Sequence, residues 1–108
     1  MYRFTFTLPA CLNDGAPVDP ADIALVESRL LDAAGGFTST ASVGVWRAPD
    51  GTVYREPVTV YALDAARDLT SDLRQLAEWA ALALDQEAIY VTRLPILAAD
   101  LIAAPSFT

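Results

Sequence analysis

Trp46, Arg47, Tyr54, Arg55 and Glu56 crowd into one short stretch, GVWRAPDGTVYREP (residues 44–57). A carboxylate beside a guanidinium and an aromatic wall is a combination that can hold a small polar ligand, or set Glu56 up as a base. The same residue types also decorate ordinary hairpins, where an Arg–Glu pair and two aromatic rings stabilise facing strands. The turn itself is plain. Ala48-Pro49-Asp50-Gly51 puts proline at a favoured first turn position and glycine where positive φ is needed.

Three further groups are candidates. Gln86-Glu87 closes the second predicted helix, where a glutamate has the wrong sign for the helix dipole and so calls for a cationic partner such as Arg47, Arg55 or Arg93. Glu56 and Glu87 brought together would form a carboxylate pair able to raise one pKa. Gln75, Trp79, Leu82 and Gln86 share one flank of that helix, either to dock a partner or to receive the apolar tail that ends the sequence. Tyr61 and Tyr90 are expected with Arg3, Thr5, Thr7, Trp46, Thr59 and Thr92 on a sheet face that no helix covers.

Several chemistries lack their residues. The chain has no histidine, which removes the usual general base and the commonest metal ligand. Cys11, the single cysteine, lies in a turn-rich loop with nothing to activate it. Gly35-Gly36 ends a helix rather than opening one, the wrong polarity for cradling phosphate. No acidic spacing matches a calcium loop. No metal site and no cofactor are expected.

The elements that must position these side chains are readable from periodicity. YRFTFTL (residues 2–8) alternates as a half-buried strand. Asp19-Pro20 starts a helix as N-cap and first helical residue, Ile23, Val26, Leu30 and Ala33/Ala34 form its apolar stripe, and Gly35-Gly36 ends it. Two alternating segments flank the turn at 48–51, and Pro57 predicts an edge or a bulge in the second. Residues 64–86 read as a helix with Leu69, Leu73, Leu76, Ala80 and Ala83/Leu84 inward. AIYVTRLP then alternates as a last strand. The order β–α–β–β–α–β predicts an α+β, ferredoxin-like sandwich, a four-stranded antiparallel sheet with two helices on one face. Residues 1–93 form a single domain, and residues 94–108 form an apolar tail that packs on the domain or on a partner.

The 108 residues carry a net charge of −7. Seven basic residues, all arginine, against fourteen acids make a poor footprint for phosphate, so direct nucleic-acid binding is not expected. No apolar run reaches the roughly 18 residues of a membrane span, and the N-terminal stretch alternates instead of forming a signal-peptide core. A reducing, cytoplasmic setting suits a lone cysteine.

The pattern Gly36-Phe37-Thr38, Gly44-x-Trp46-Arg47, Asp50-Gly51, Arg55-Glu56-Pro57 and Gln86-Glu87-Ala88 resembles a small bacterial family of unknown function, with relatives in phage and plasmid genomes. The resemblance spans residues 36–91 and breaks just before Gly36, where AAGG replaces a proline-bearing loop. It implies the ferredoxin-like fold and brings no activity.

Together these readings favour a small acidic interaction module without catalysis of its own, self-associating as a homodimer through the open sheet face. Its acidic surface suits a basic protein partner, and a phage- or plasmid-borne form would act as an inhibitor occupying a host protein's nucleic-acid-binding surface. The alternative is a ligand-binding protein or enzyme with Glu56 and Arg47 or Arg55 in a pocket between sheet and hairpin.

Overall fold

In the computed structural model, which describes residues 1–105, the elements run β1 (Tyr2–Pro9), α1 (Pro20–Ala34), β2 (Thr38–Arg47), β3 (Val53–Ala65), α2 (Thr70–Ala83) and β4 (Val91–Pro95). The strands form one antiparallel sheet in the order β2-β3-β1-β4. This is the α+β, ferredoxin-like arrangement that the element order predicts.

The core lies between the sheet and the helices. Phe4, Phe6 and Leu8 of β1 alternate inward and meet Tyr61 and Leu63 of β3, Val26 and Leu30 of α1, and Leu69, Leu73, Leu76, Ala80 and Leu84 around α2. Each of these large side chains contributes about 1.5–3 kcal/mol on leaving water, so the layer contact is the main stabilising term. Helix α1 starts as its sequence indicates: the Asp19 side chain accepts from Ala21 N at 2.9 Å, and Gly35 at φ 78° closes the far end.

Two expectations change. The second helix does not begin at residue 64. Asp64 and Ala65 belong to β3, opposite Arg3 and Tyr2, and Arg3 clasps Asp64 through Nε and Nη2 at 2.8 and 2.9 Å. Asp68 then accepts from Thr70 N at 2.9 Å, so helix α2 starts at Thr70. Pro57 makes no bulge either, because the register Val43↔Pro57 is unbroken. Ala10 N donates to Pro57 O at 3.0 Å, so the side of Pro57 facing away from β2 lies just past the last pair of β1. A missing donor costs nothing there.

The start of the C-terminal tail, Leu94 and Pro95, is paired with β1 as the end of β4. Ile96 N donates to Met1 O at 3.0 Å, and beyond it Leu97 and Leu101 are fully exposed. Residues 106–108 of the tail expected over 94–108 lie outside the described residues.

Candidate functional site: the hairpin arm and the open sheet face

Beyond β1, which stops at Pro9 opposite Val58, β2 and β3 run on as a two-stranded ribbon. Its pairing is Val43↔Pro57, Gly44↔Glu56, Val45↔Arg55, Trp46↔Tyr54 and Arg47↔Val53. Ala48 N donates to Thr52 O at 2.8 Å and Thr52 N to Asp50 Oδ1 at 2.9 Å, closing the turn, while Gly51 takes φ 89°. All of β2 is exposed save a half-buried Gly44.

Period-two alternation divides the sequence cluster in two. Tyr61 of β3 points inward, so Thr59, Pro57, Arg55 and Val53 share its side, with Val43, Val45 and Arg47 opposite. Glu56 and Tyr54 face the other way, together with Trp46. The stack there is close: the Trp46 and Tyr54 rings are 4.7 Å apart and tilted by 20°. Trp46 Nε1 donates to Glu56 Oε1 at 2.7 Å. Arg47 and Arg55 therefore do not join Glu56 in a pocket, and no Arg–Glu pair forms across the hairpin. The ion pairs among the described residues are Arg3–Asp64, Arg67–Asp72, Arg74–Glu78 and Arg93–Asp68.

Tyr61 and Thr59 also leave the open face, contrary to expectation. Tyr61 is 1% exposed, meets Phe37 edge-on at 5.1 Å, and donates its hydroxyl to Glu27 Oε2 of α1 at 2.8 Å. Burial first, then the glutamate, pushes its pKa well above the ordinary tyrosine value. The open face instead carries Val58, Val60 and Ala62 of β3 flanked by threonines. Its polar groups satisfy one another: Arg3 with Asp64, Thr5 Oγ1 with Thr92 Oγ1, and Trp46 with Glu56.

The remaining candidates separate. Gln86 Nε2 donates to Asn13 Oδ1 at 3.0 Å and to Leu84 O at 3.1 Å, while Asn13 Nδ2 donates to Asp85 O at 2.8 Å. Gln86 is thus a clamp between the end of α2 and the loop after β1, where Asp85 turns the chain at φ 51°. Glu87 is exposed and forms no ion pair among the described residues; of its candidate partners Arg47, Arg55 and Arg93, the last holds Asp68 at 2.7 Å. Glu56 lies on the hairpin arm and accepts from Trp46, whereas Glu87 follows the end of α2. Trp79 is half-buried and lines a groove of about 410 Å³ between α1 and α2 with Leu25, Arg29 and Leu76. Leu82 and Tyr90 are exposed at 85% and 71%. Among the described residues, no three potential metal ligands gather.

Glu27 and Asn13 escaped the sequence reading. Glu27 sits on the apolar stripe of α1, between Val26 and Leu30, and an acid there is itself a signal for a buried donor. Asn13 is 73 residues from Gln86 and gave none.

The sequence matches no protein-family model and no curated protein. Solved structures do match in shape. A phage SAM lyase in complex with S-methyl-5'-thioadenosine aligns over 86% of this chain and 79% of its own, with 14% identity and a TM-score of 0.63. CutA of Pyrococcus horikoshii aligns over 93% and 88% with 14% identity and a TM-score of 0.62. The divalent cation tolerance protein CutA1 of Thermus thermophilus aligns over 93% and 88% with 13% identity and a TM-score of 0.61. At such identities the likeness establishes a shared fold. No helix among the described residues is long and apolar enough to cross a membrane.

Proposed function

We propose that this chain is a self-associating interaction module whose contact surface is the hairpin arm together with the open sheet face. One observation carries the reading: among the described residues, no layer covers either side of the arm. Val43, Val45 and Val53 are exposed on one face, Trp46 and Tyr54 on the other. An isolated two-stranded ribbon is marginal in water, and an apolar patch at its tip signals a contact. A second copy is the commonest partner for such a surface, and a closed two-fold dimer the commonest assembly. Aromatic rings, threonines and no lysine also suit a protein contact. The net charge of −7 suits a further, basic partner, such as the nucleic-acid-binding surface of a host protein if the chain is phage- or plasmid-borne. The small bacterial family that the Gly-x-Trp-Arg to Gln-Glu-Ala pattern resembles is proposed as its family.

Amide exchange over residues 42–57, followed as a function of protein concentration, tests the reading. Self-association predicts protection that grows with concentration and is lost in Val45→Asp. Fast exchange of the arm at every concentration contradicts it.

A second reading rests on the Trp46–Glu56 pair. The indole is tied to one oxygen of Glu56, which leaves Oε2 and the outer ring face for a flat, polar ligand held against the sheet. A nucleoside is the class that fits, because bases stack on aromatic faces and ribose hydroxyls donate to carboxylates. The ligand of the phage lyase, S-methyl-5'-thioadenosine, is of this class and is the probe of choice. Calorimetric titration with it separates the readings: saturable binding lost in Glu56→Gln favours a ligand site, and no heat favours the contact surface.

A further inference from the structure

Beside its arm, the molecule leaves unpartnered an edge and a tail. Among the described residues strand β4 pairs only with β1, so its outer edge presents free backbone groups. Next to that edge runs a groove of about 400 Å³ between α2 and β4. Phe4, Ala77, Ile89 and Val91 make it apolar, and Arg74 and Arg93 are the charged residues of its lining. Arg93 is engaged by Asp68 and Thr70 at 2.7 and 2.9 Å, whereas Arg74 has, among the described residues, only Glu78 at 3.7 Å.

The tail has the complementary pattern. In an extended strand Leu97, Ala99 and Leu101 share one face, while Asp100 and Ile102 share the other. Leu97, Leu101 and Ile102 are 106%, 104% and 87% exposed, and Asp100 is the one charge between Pro95 and Pro105. Leu94, on the open face of β4, is exposed as well.

We infer that residues 97–105 of one copy add as a strand to the β4 edge of a second copy, laying Leu97 and Leu101 beside Leu94 and bringing Asp100 to Arg74 with Ile102 over the groove. Edge addition satisfies the free backbone groups of β4, and alternate side chains set the register. A second copy is the occupant because Ile96 extends the pairing with β1 past Pro95, which directs the chain along the strand axis and away from its own outer edge. The inference rests on the self-association reading and adds a contact independent of the hairpin arm.

Charge reversal in the full-length chain tests it. Asp100 and Arg74 are both exposed, so Asp100→Arg and Arg74→Glu leave the monomer folded. Sedimentation equilibrium is expected to show each variant dissociating at a concentration about fivefold higher than the original chain. A one-to-one mixture of the two variants is expected to regain the original affinity, since every contact in a mixed pair again joins opposite charges. Weakening in both variants without recovery in the mixture places the tail on its own copy and overturns the inference. Unchanged assembly in both variants also overturns it while leaving self-association standing. A chain that is monomeric throughout removes both.

Discussion

Tyr61 Oη donates to Glu27 Oε2 at 2.8 Å, tying the middle of β3 to the buried side of α1. A tyrosine that alternation alone leaves free to line the open face is thereby a core residue with one polar handle. Tyr61→Phe keeps the ring and removes the donor, leaving a partly buried carboxylate underserved. The expected loss of stability is about 1–2 kcal/mol, read from denaturant midpoints.

The same pair predicts an alkaline dependence. Folding raises the pKa of Tyr61 above its unfolded value of about 10, so its neutral form is favoured in the folded chain. The contribution is complete below pH about 10 and falls as pH rises beyond it, because the unfolded chain then gives up a proton that the folded chain retains. Thermal melts above that pH should decline in the original chain and decline less in Tyr61→Phe.

Asp68 works at the opposite limb. Hydrogen bonds from Thr70, and then the Arg93 guanidinium, hold its carboxyl below the usual range. Its contribution is therefore present above the unfolded carboxylate pKa of about 3.9 and is lost as pH falls through the lower folded value. Asp68→Asn should lower the melting temperature at neutral pH, with the gap to the original chain narrowing as pH falls below the unfolded carboxylate range.

Gly44 offers a variant that separates fold from contact. A Cβ there would meet Val58 Cγ1 at 3.5 Å, an ordinary van der Waals distance. Gly44→Ala should leave the melting temperature within about 2 °C. If a second copy approaches the open face opposite Glu56, the added methyl should weaken association measurably by sedimentation.

The architecture was legible because its elements are amphipathic with clean periods. Phe4, Phe6 and Leu8 alternate, and Leu69, Leu73, Leu76 and Ala80 recur at helical spacing, so strand and helix were each recognised from one face. Local sequence puts the helix start too early because ALDAARD is alanine-rich and favours a helix, while the pairing of Asp64 with Arg3 is 61 residues distant and decides for a strand. The candidate site was legible as a hairpin and not as a set of neighbours. Adjacent residues in a strand face opposite ways, so Arg55 and Glu56, which look like partners in the sequence, lie on opposite faces. The prolines and the turn left their facing open, and only the pairing with β2 fixed it. Gln86 looked like a site residue because clamps and sites draw on the same polar side chains.

The most direct measurement is the molar mass of the full-length chain by light scattering, taken over a hundredfold range of concentration. Self-association predicts a mass that rises to a multiple of 11.6 kDa, with Val45→Asp reaching it only at higher concentration. A mass of one chain at every concentration would contradict it, and would make the stacked Trp46–Tyr54 pair and Glu56 the first residues to test against nucleosides.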